Sequence, residues 1–123
     1  LELNPRPPAS AALYAPRGGL INAHLAACLQ GHLPSGDALD SLRGDGRLRG
    51  LRYVFARRAL TLDGARLARL AARPAVHDVP HAPLSLAAGE PLCSLSDSGD
   101  DVPTLQASLA RAAERLLTDL ENP

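Results

Sequence analysis

The chain lacks several residue types, and each absence narrows what it can be. Its 123 residues contain no Met and no Trp, and only two Tyr and one Phe. All 13 of its basic residues are arginine, so it has no lysine. Because aromatic residues make up only 2% of the chain, a core has to be built from Leu, Ala and Val. We therefore expect one domain, or one domain and a remnant, with an aliphatic core.

The charge and the hydropathy pattern argue against two classes of partner. The net charge is zero and acids and bases are interspersed, so there is no electrostatic footprint for nucleic acid. No apolar run approaches the roughly 20 residues that a membrane-spanning helix needs, and no signal peptide opens the chain. We expect a cytoplasmic protein without nucleic-acid or membrane partners. Cys28 and Cys93 stand far apart, and we expect two buried free thiols rather than a disulfide.

The first residues of the chain carry the strongest chemical signal. Glu2 and Asn4 are two positions apart in a segment that favours a short strand, so both side chains point to the same face. Carboxylate and amide oxygens are ligands that suit Mg²⁺, which also binds substrate phosphates. We interpret Glu2 and Asn4 as metal ligands; the alternative is an ordinary solvated strand edge.

An anion-binding group follows these two residues. Pro5 ends the strand, and the Arg6 guanidinium can grip a carboxylate or a phosphate with two parallel hydrogen bonds. Ser10 can donate a hydrogen bond to the same anion. Metal ligands at a strand end followed by such a clamp indicate a phosphoryl-transfer site. The alternatives are a structural ion pair for Arg6 and a cap or turn role for Ser10.

These motifs resemble those of a known enzyme family. Glu2-x-Asn4-Pro5-Arg6 resembles the closing motif of the ATP-grasp ligases, in which the Glu and the Asn hold magnesium against the phosphates of ATP. Residues 6–10 and 28–34 are similar to the tail of carboxyaminoimidazole ribonucleotide synthetases, and residues 89–95 resemble the last strand of the rudimentary hybrid barrel there. The His-Asn pair that follows Pro-Arg in that family is Pro8-Ala9 here, which leaves the substrate open.

The resemblance implies an ATP-dependent carboxylate ligase that uses ATP and Mg²⁺. A carboxylate substrate takes the γ-phosphate, an amine substrate displaces it, and ADP and phosphate leave. Glu2 and Asn4 are then the metal ligands, Arg6 is the catalytic residue that orients the activated acid, and Arg6 with Ser10 contacts the cofactor. Whether the protein forms a homodimer is left open.

In the ATP-grasp family, the lysines that hold the nucleotide phosphates lie upstream of this motif, and the present chain has no lysine. We therefore expect a C-terminal fragment that is inactive without an N-terminal ATP-grasp portion. The alternative is a non-catalytic hybrid-barrel module whose terminal helix, residues 102–120, docks on a partner. A long upstream reading frame would favour the ligase, and a start codon directly before Leu1 would favour the module.

The fold class that we expect is α+β. Residues 1–40 are interpreted as the end of an ATP-grasp domain, with a motif strand and a helix over 20–29 that Gly31 ends. Residues 41–123 are interpreted as a rudimentary hybrid-barrel-like domain, with strands at 51–56, 76–79 and 92–96 and a short helix within 63–73. A final helix is expected after Asp101, with an apolar stripe formed by Leu105, Leu109, Ala112, Leu116 and Leu120.

The remaining polar residues favour structural roles. His24 lies on the apolar face of the first helix and is expected to be half-buried. His77 and His81 flank Pro80, which breaks any helical face, so we expect no metal site there and leave their role open. Serines 94, 96 and 98 form no nucleophile elbow, and the sequence indicates no His placed to activate one of them.

Overall fold

The computed structural model describes residues 13, 19–33, 35–37 and 46–122. These residues form helices α1 (Gly19–Gln30), α2 (Gly64–Ala71) and α3 (Val102–Glu121), and strands β1 (Leu48–Phe55), β2 (Leu60–Leu62), β3 (Val76–His77), β4 (Leu84–Leu86) and β5 (Pro91–Gly99). The predicted α+β class is confirmed. The expected motif strand at the edge of an ATP-grasp sheet lies outside the described residues.

The chain divides into two compact units, Leu1–Arg47 and Leu48–Pro123. The division falls within the Gly- and Asp-rich stretch between residues 34 and 50. Each unit is described separately below.

In the first unit, α1 ends where the sequence predicts. Gly31 has a φ of +68°, a left-handed conformation that a residue without Cβ adopts at little cost. The amides of Gly31 and His32 donate to the carbonyls of Ala27 and Ala26, at 3.1 Å and 3.4 Å. These bonds satisfy carbonyl groups that the end of a helix leaves without partners.

The apolar face of α1 is more exposed than expected. Ile21 and Leu25 are 47% and 48% exposed, and Leu29 is 79% exposed. His24 and Cys28 are also exposed, so the predictions of a half-buried His24 and a buried Cys28 were wrong. The two residues are one helical turn apart, and Nε2 of His24 lies 3.7 Å from Sγ of Cys28.

The second unit is built on a three-stranded antiparallel sheet in the order β1-β5-β3, with β5 at its centre. Val54 of β1 lies opposite Cys93, and Val76 of β3 lies opposite Leu95. Strands β2 and β4 form a separate antiparallel pair that the sequence did not predict. The described residues contain no closed barrel.

Helix α3 packs on β1 and β5. Asp101 caps its N-terminus as predicted, because Oδ1 accepts a hydrogen bond from the Thr104 amide at 2.8 Å. The predicted stripe is largely confirmed, although Ala112 is only half-buried. The side chains of α3 that are buried in the core are Leu105, Leu109, Ala113, Leu116, Leu117 and Leu120.

Strand β1 is confirmed, and its two sides differ in exposure. Val54 and Ala56 are each 3% exposed, whereas Tyr53 and Phe55 are 53% and 51% exposed. Since successive side chains of a strand point to opposite faces, the small residues face the core and the aromatic rings do not.

Helix α2 is confirmed and begins at an Asp63 cap, where Oδ1 accepts from the Arg66 amide at 2.8 Å. Its buried residues are Leu67 and Leu70, which pack into the common core of the unit. Arg73, just beyond the helix, pairs with Asp119 of α3 at 2.8 Å. The exposure of both partners limits this ion pair to a small contribution to stability.

Within the described parts of the chain, every helix is too short or too polar to cross a lipid bilayer.

Candidate functional site

The residues that the sequence assigns to a ligase site are not among those that the structure describes. Glu2, Asn4, Arg6 and Ser10 all precede residue 13, so their roles stay predictions. In the described ranges, no group of three or more His, Cys, Asp or Glu side chains could hold a metal ion.

The second unit does bring four polar side chains together. His77 and Asp78 lie at the end of β3, and Ser94 and Ser96 lie on β5 beside them. We call these four residues the β3–β5 polar cluster. His77 lies opposite Ser94 in the strand pairing, and the Ser96 amide donates to the Ala75 carbonyl at 2.9 Å. The backbone pairing therefore fixes which side chains can meet.

Asp78 is the residue of the cluster that has an unfavourable backbone conformation. Its φ is +55°, and it is the one residue other than glycine with a positive φ in the described part of the chain. Asp tolerates this region better than most residues, because its short side chain can form local hydrogen bonds. Here Oδ2 accepts a hydrogen bond of 2.5 Å from the Ser94 hydroxyl. That bond fixes the carboxylate directly after the edge strand ends.

Ser94 has no exposed surface, and it is the polar residue that the core of the unit contains. A buried hydroxyl without a partner would be destabilising, and its bond to Asp78 removes that cost. The described residues contain no buried side-chain nitrogen or oxygen without a hydrogen-bond partner. Asp78 thus accepts the hydrogen bond of the buried Ser94 hydroxyl and is itself exposed.

The second bond of the cluster corrects a prediction. Nε2 of His77 lies 2.7 Å from Oγ of Ser96, so a histidine does stand beside one of the serines. Strand pairing brings together two residues that are 19 positions apart, and no local pattern in the sequence could indicate it. In the described part of the chain, the one hydrogen bond of the His77 side chain is to Ser96, whereas a catalytic triad needs a carboxylate to orient the ring. The geometry therefore favours a structural pair.

A groove adjoins the cluster. It is shallow, with a volume of about 480 Å³, and lies between Leu67, Ala68 and Ala71 of α2 and residues 76–81. Its walls are mostly apolar, and its polar side chains are His77, Asp78 and His81. We call it the α2–β3 groove.

The two thiols differ in burial. Burial raises the pKa of Cys93 to about 11, the negative charge of Asp78 adds to this increase, and Arg73 opposes it. Cys93 is therefore a protonated, inert part of the core at neutral pH. Both cysteines are free, and Cys28 is exposed.

No protein-family model, curated protein or solved structure matches the chain.

Proposed function

We propose that this chain is the C-terminal part of an ATP-dependent carboxylate ligase. The observation that carries the proposal is the sequence Glu2-x-Asn4-Pro5-Arg6, which resembles the closing motif of the ATP-grasp ligases. The donor set fits the chemistry, because a carboxylate and an amide oxygen are hard ligands of the kind that Mg²⁺ takes up beside nucleotide phosphates. The chain has no lysine, so the remaining phosphate contacts belong to an upstream segment.

Each of the motif residues has a defined role in this proposal. Glu2 and Asn4 hold the metal ion, which neutralises charge on the phosphate groups when it is bound. Arg6 orients the carboxylate that is activated, and Ser10 donates a hydrogen bond to the same anion. The carboxylate takes the γ-phosphoryl group of ATP, which releases ADP. A small-molecule amine then displaces the phosphate from the acyl phosphate and forms the new carbon–nitrogen bond.

The order of the described elements supports the proposal. Helix α1 follows the motif and ends at Gly31, as the similarity to ribonucleotide synthetase tails implies. In the second unit, the terminal helix covers a small antiparallel sheet, an arrangement that suits a rudimentary hybrid-barrel domain. We place the protein in the cytoplasm, where free thiols such as Cys28 and Cys93 stay reduced.

The direct test uses hydroxylamine, which traps an acyl phosphate as a hydroxamate. A longer protein that carries the upstream nucleotide-binding segments should form hydroxamate from ATP and its carboxylate substrate. Arg6→Gln should reduce that rate by about 100-fold or more, since an oriented arginine contributes several kcal/mol to such a step. Arg111→Gln, on the exposed side of α3, is the matched control and should leave the rate unchanged. Equal rates for Arg6→Gln and the wild type would refute the role of Arg6.

A second candidate function is a non-catalytic binding module. The observation that favours it is the α2–β3 groove beside the β3–β5 polar cluster, which could hold a ligand without any chemistry. ADP release separates the two candidates, because the ligase forms ADP when its carboxylate takes the γ-phosphoryl group of ATP, and it turns over when an amine or hydroxylamine displaces the phosphate. A binding module releases no ADP.

A further inference from the structure

We propose that the α2–β3 groove binds an organic ammonium group that carries an apolar chain. This inference concerns the second unit alone and does not depend on the ligase assignment. It starts from the make-up of the groove. The described residues that line it belong to α2 and to residues 76–81, which lie in one compact unit.

Among the described residues, the groove lining contains one carboxylate, that of Asp78, and no arginine, although 13 arginines occur in the chain. Its other polar side chains are those of His77 and His81. Ala68 and Ala71 belong to the last turn of α2, where the carbonyl groups carry negative partial charge. A cation is therefore favoured here, and an anion is disfavoured.

The position of the carboxylate is fixed before any ligand arrives. Ser94 is fully buried and holds Oδ2 of Asp78 at 2.5 Å, and the backbone of Asp78 is in the left-handed region. A carboxylate has about four lone-pair sites, so Asp78 can accept further hydrogen bonds from an ammonium group. Strained residues persist where the surrounding structure holds them, and they cluster at binding sites. A pre-organised acceptor lowers the entropic cost of binding.

The walls of the groove determine the rest of the ligand. Leu67, Ala68 and Ala71 line one side, and Val79 and Pro80 line the other. These groups offer an apolar surface and no further charge, which suits an alkyl chain and disfavours a hydrated inorganic cation. Two sources share this chemistry: a free alkylamine and the side chain of a lysine in a peptide.

The test is a titration of the 123-residue chain at about pH 8, in which the amide signals are monitored by two-dimensional NMR. The first probe is n-butylammonium chloride at constant ionic strength, and 1-butanol is its neutral counterpart. Saturable shifts should appear at Ala68, Ala71, Asp78 and Val79, with 1-butanol at least about tenfold weaker, as expected when a charge-assisted hydrogen bond is lost. Shifts that do not saturate, or equal shifts with 1-butanol, would overturn the proposal.

The variants separate charge from folding. Asp78→Asn keeps a side chain that tolerates the left-handed region and can still accept from Ser94, and it should weaken n-butylammonium binding by about tenfold or more. Asp119→Asn removes the same charge from α3, outside the groove, and should bind as the wild type does. If the two variants bind n-butylammonium with equal affinity, the Asp78 carboxylate has no specific part in binding and the proposal fails.

A second pair of variants tests the site without changing Asp78. Ala68→Arg places a cation at the groove wall and should abolish binding, whereas Ala68→Gln adds a long neutral side chain and should retain most of it. Nα-acetyl-lysine amide is the second ligand: binding similar to that of n-butylammonium favours a peptide lysine, and markedly weaker binding favours a free amine. Loss of binding in Ala68→Gln as severe as in Ala68→Arg would show that charge has no part in recognition.

Discussion

Ser94 donates a hydrogen bond to the Asp78 carboxylate, and this bond joins the centre of the sheet to the first residue after its edge strand. Strand β3 has only two residues, Val76 and His77, so its backbone pairing with β5 is short. Two side-chain bonds, from Ser94 to Asp78 and between Ser96 and His77, extend that pairing. The edge of the sheet is thus held by side chains as much as by backbone.

The first prediction tests this bond. Ser94→Ala removes a buried donor to a charged acceptor, and we expect a loss of about 1.5–3 kcal/mol in the free energy of unfolding, measured by urea denaturation. Ser85→Ala is the matched control, because Ser85 is exposed and, among the described residues, its hydroxyl bonds to the exposed Thr61. It should change stability by less than about 0.5 kcal/mol. If Ser94→Ala and Ser85→Ala lower the free energy of unfolding equally, the bond between Ser94 and Asp78 does not stabilise the fold more than an exposed bond does.

The second prediction concerns the contact between α3 and β1. A Cβ added at Gly50 would lie 2.9 Å from Cδ1 of Leu109 and 3.2 Å from Cδ2 of Leu105. Both leucines are buried, so Gly50→Ala should cost about 1–2 kcal/mol through overpacking.

Gly64→Ala is the control for that variant. Gly64 is the first residue of α2, and an added Cβ meets nothing within 4 Å. This substitution should be neutral or should stabilise by up to about 1 kcal/mol, because alanine favours a helix. A neutral Gly50→Ala, measured in the same urea series, would contradict the close packing of α3 on β1.

The third prediction concerns Cys93 and pH. Its pKa is raised from 9.0 to about 11 in the folded chain, so the unfolded state loses the thiol proton first as the pH rises. The free energy of unfolding should therefore fall between about pH 9 and pH 11. Cys93→Ala should make the free energy of unfolding depend less on pH over this range. The variant also loses packing, which lowers the free energy of unfolding at every pH. If the free energy of unfolding falls equally steeply with pH in the wild type and in Cys93→Ala, the raised pKa of the buried thiol is refuted.

Thiol reactivity gives the fourth prediction. Cys28 is exposed and Cys93 is buried, so a thiol reagent such as Ellman's reagent should modify one cysteine in the native chain and both in denaturant. Cys28→Ser should abolish the native reaction. Rapid native modification of Cys28→Ser would place Cys93 at the surface.

The sequence predicts the helices better than the sheet edges, and the reason is physical. Asp101 and the apolar stripe of α3 are local signals, so the cap and the helix follow directly from them. Strands β2 and β4 have three residues each, and their pairing of Leu60 with Leu86 depends on contacts between distant segments. Each strand alternates apolar and polar residues over only three positions, which is too short a run to predict a strand.

The candidate sites show the same division. Local spacing suggests Glu2 and Asn4, because two residues that are two positions apart in a predicted strand would face the same way. Nothing local could indicate the β3–β5 polar cluster, since His77 and Ser96 meet only through strand pairing. The prediction of a half-buried His24 is wrong for a related reason, because the burial of a helix face depends on what packs against it and not on its sequence pattern alone.

The most direct test of the ligase assignment is the Mg²⁺ dependence of ADP release by a protein that carries this chain together with its upstream nucleotide-binding segments. Glu2→Ala should abolish carboxylate- and amine-dependent ADP release at all Mg²⁺ concentrations, while circular dichroism shows an unchanged fold. Glu90→Ala, at an exposed position of the second unit, serves as the control and should retain the wild-type rate. A wild-type rate and Mg²⁺ requirement in Glu2→Ala would contradict the metal site and with it the proposed function.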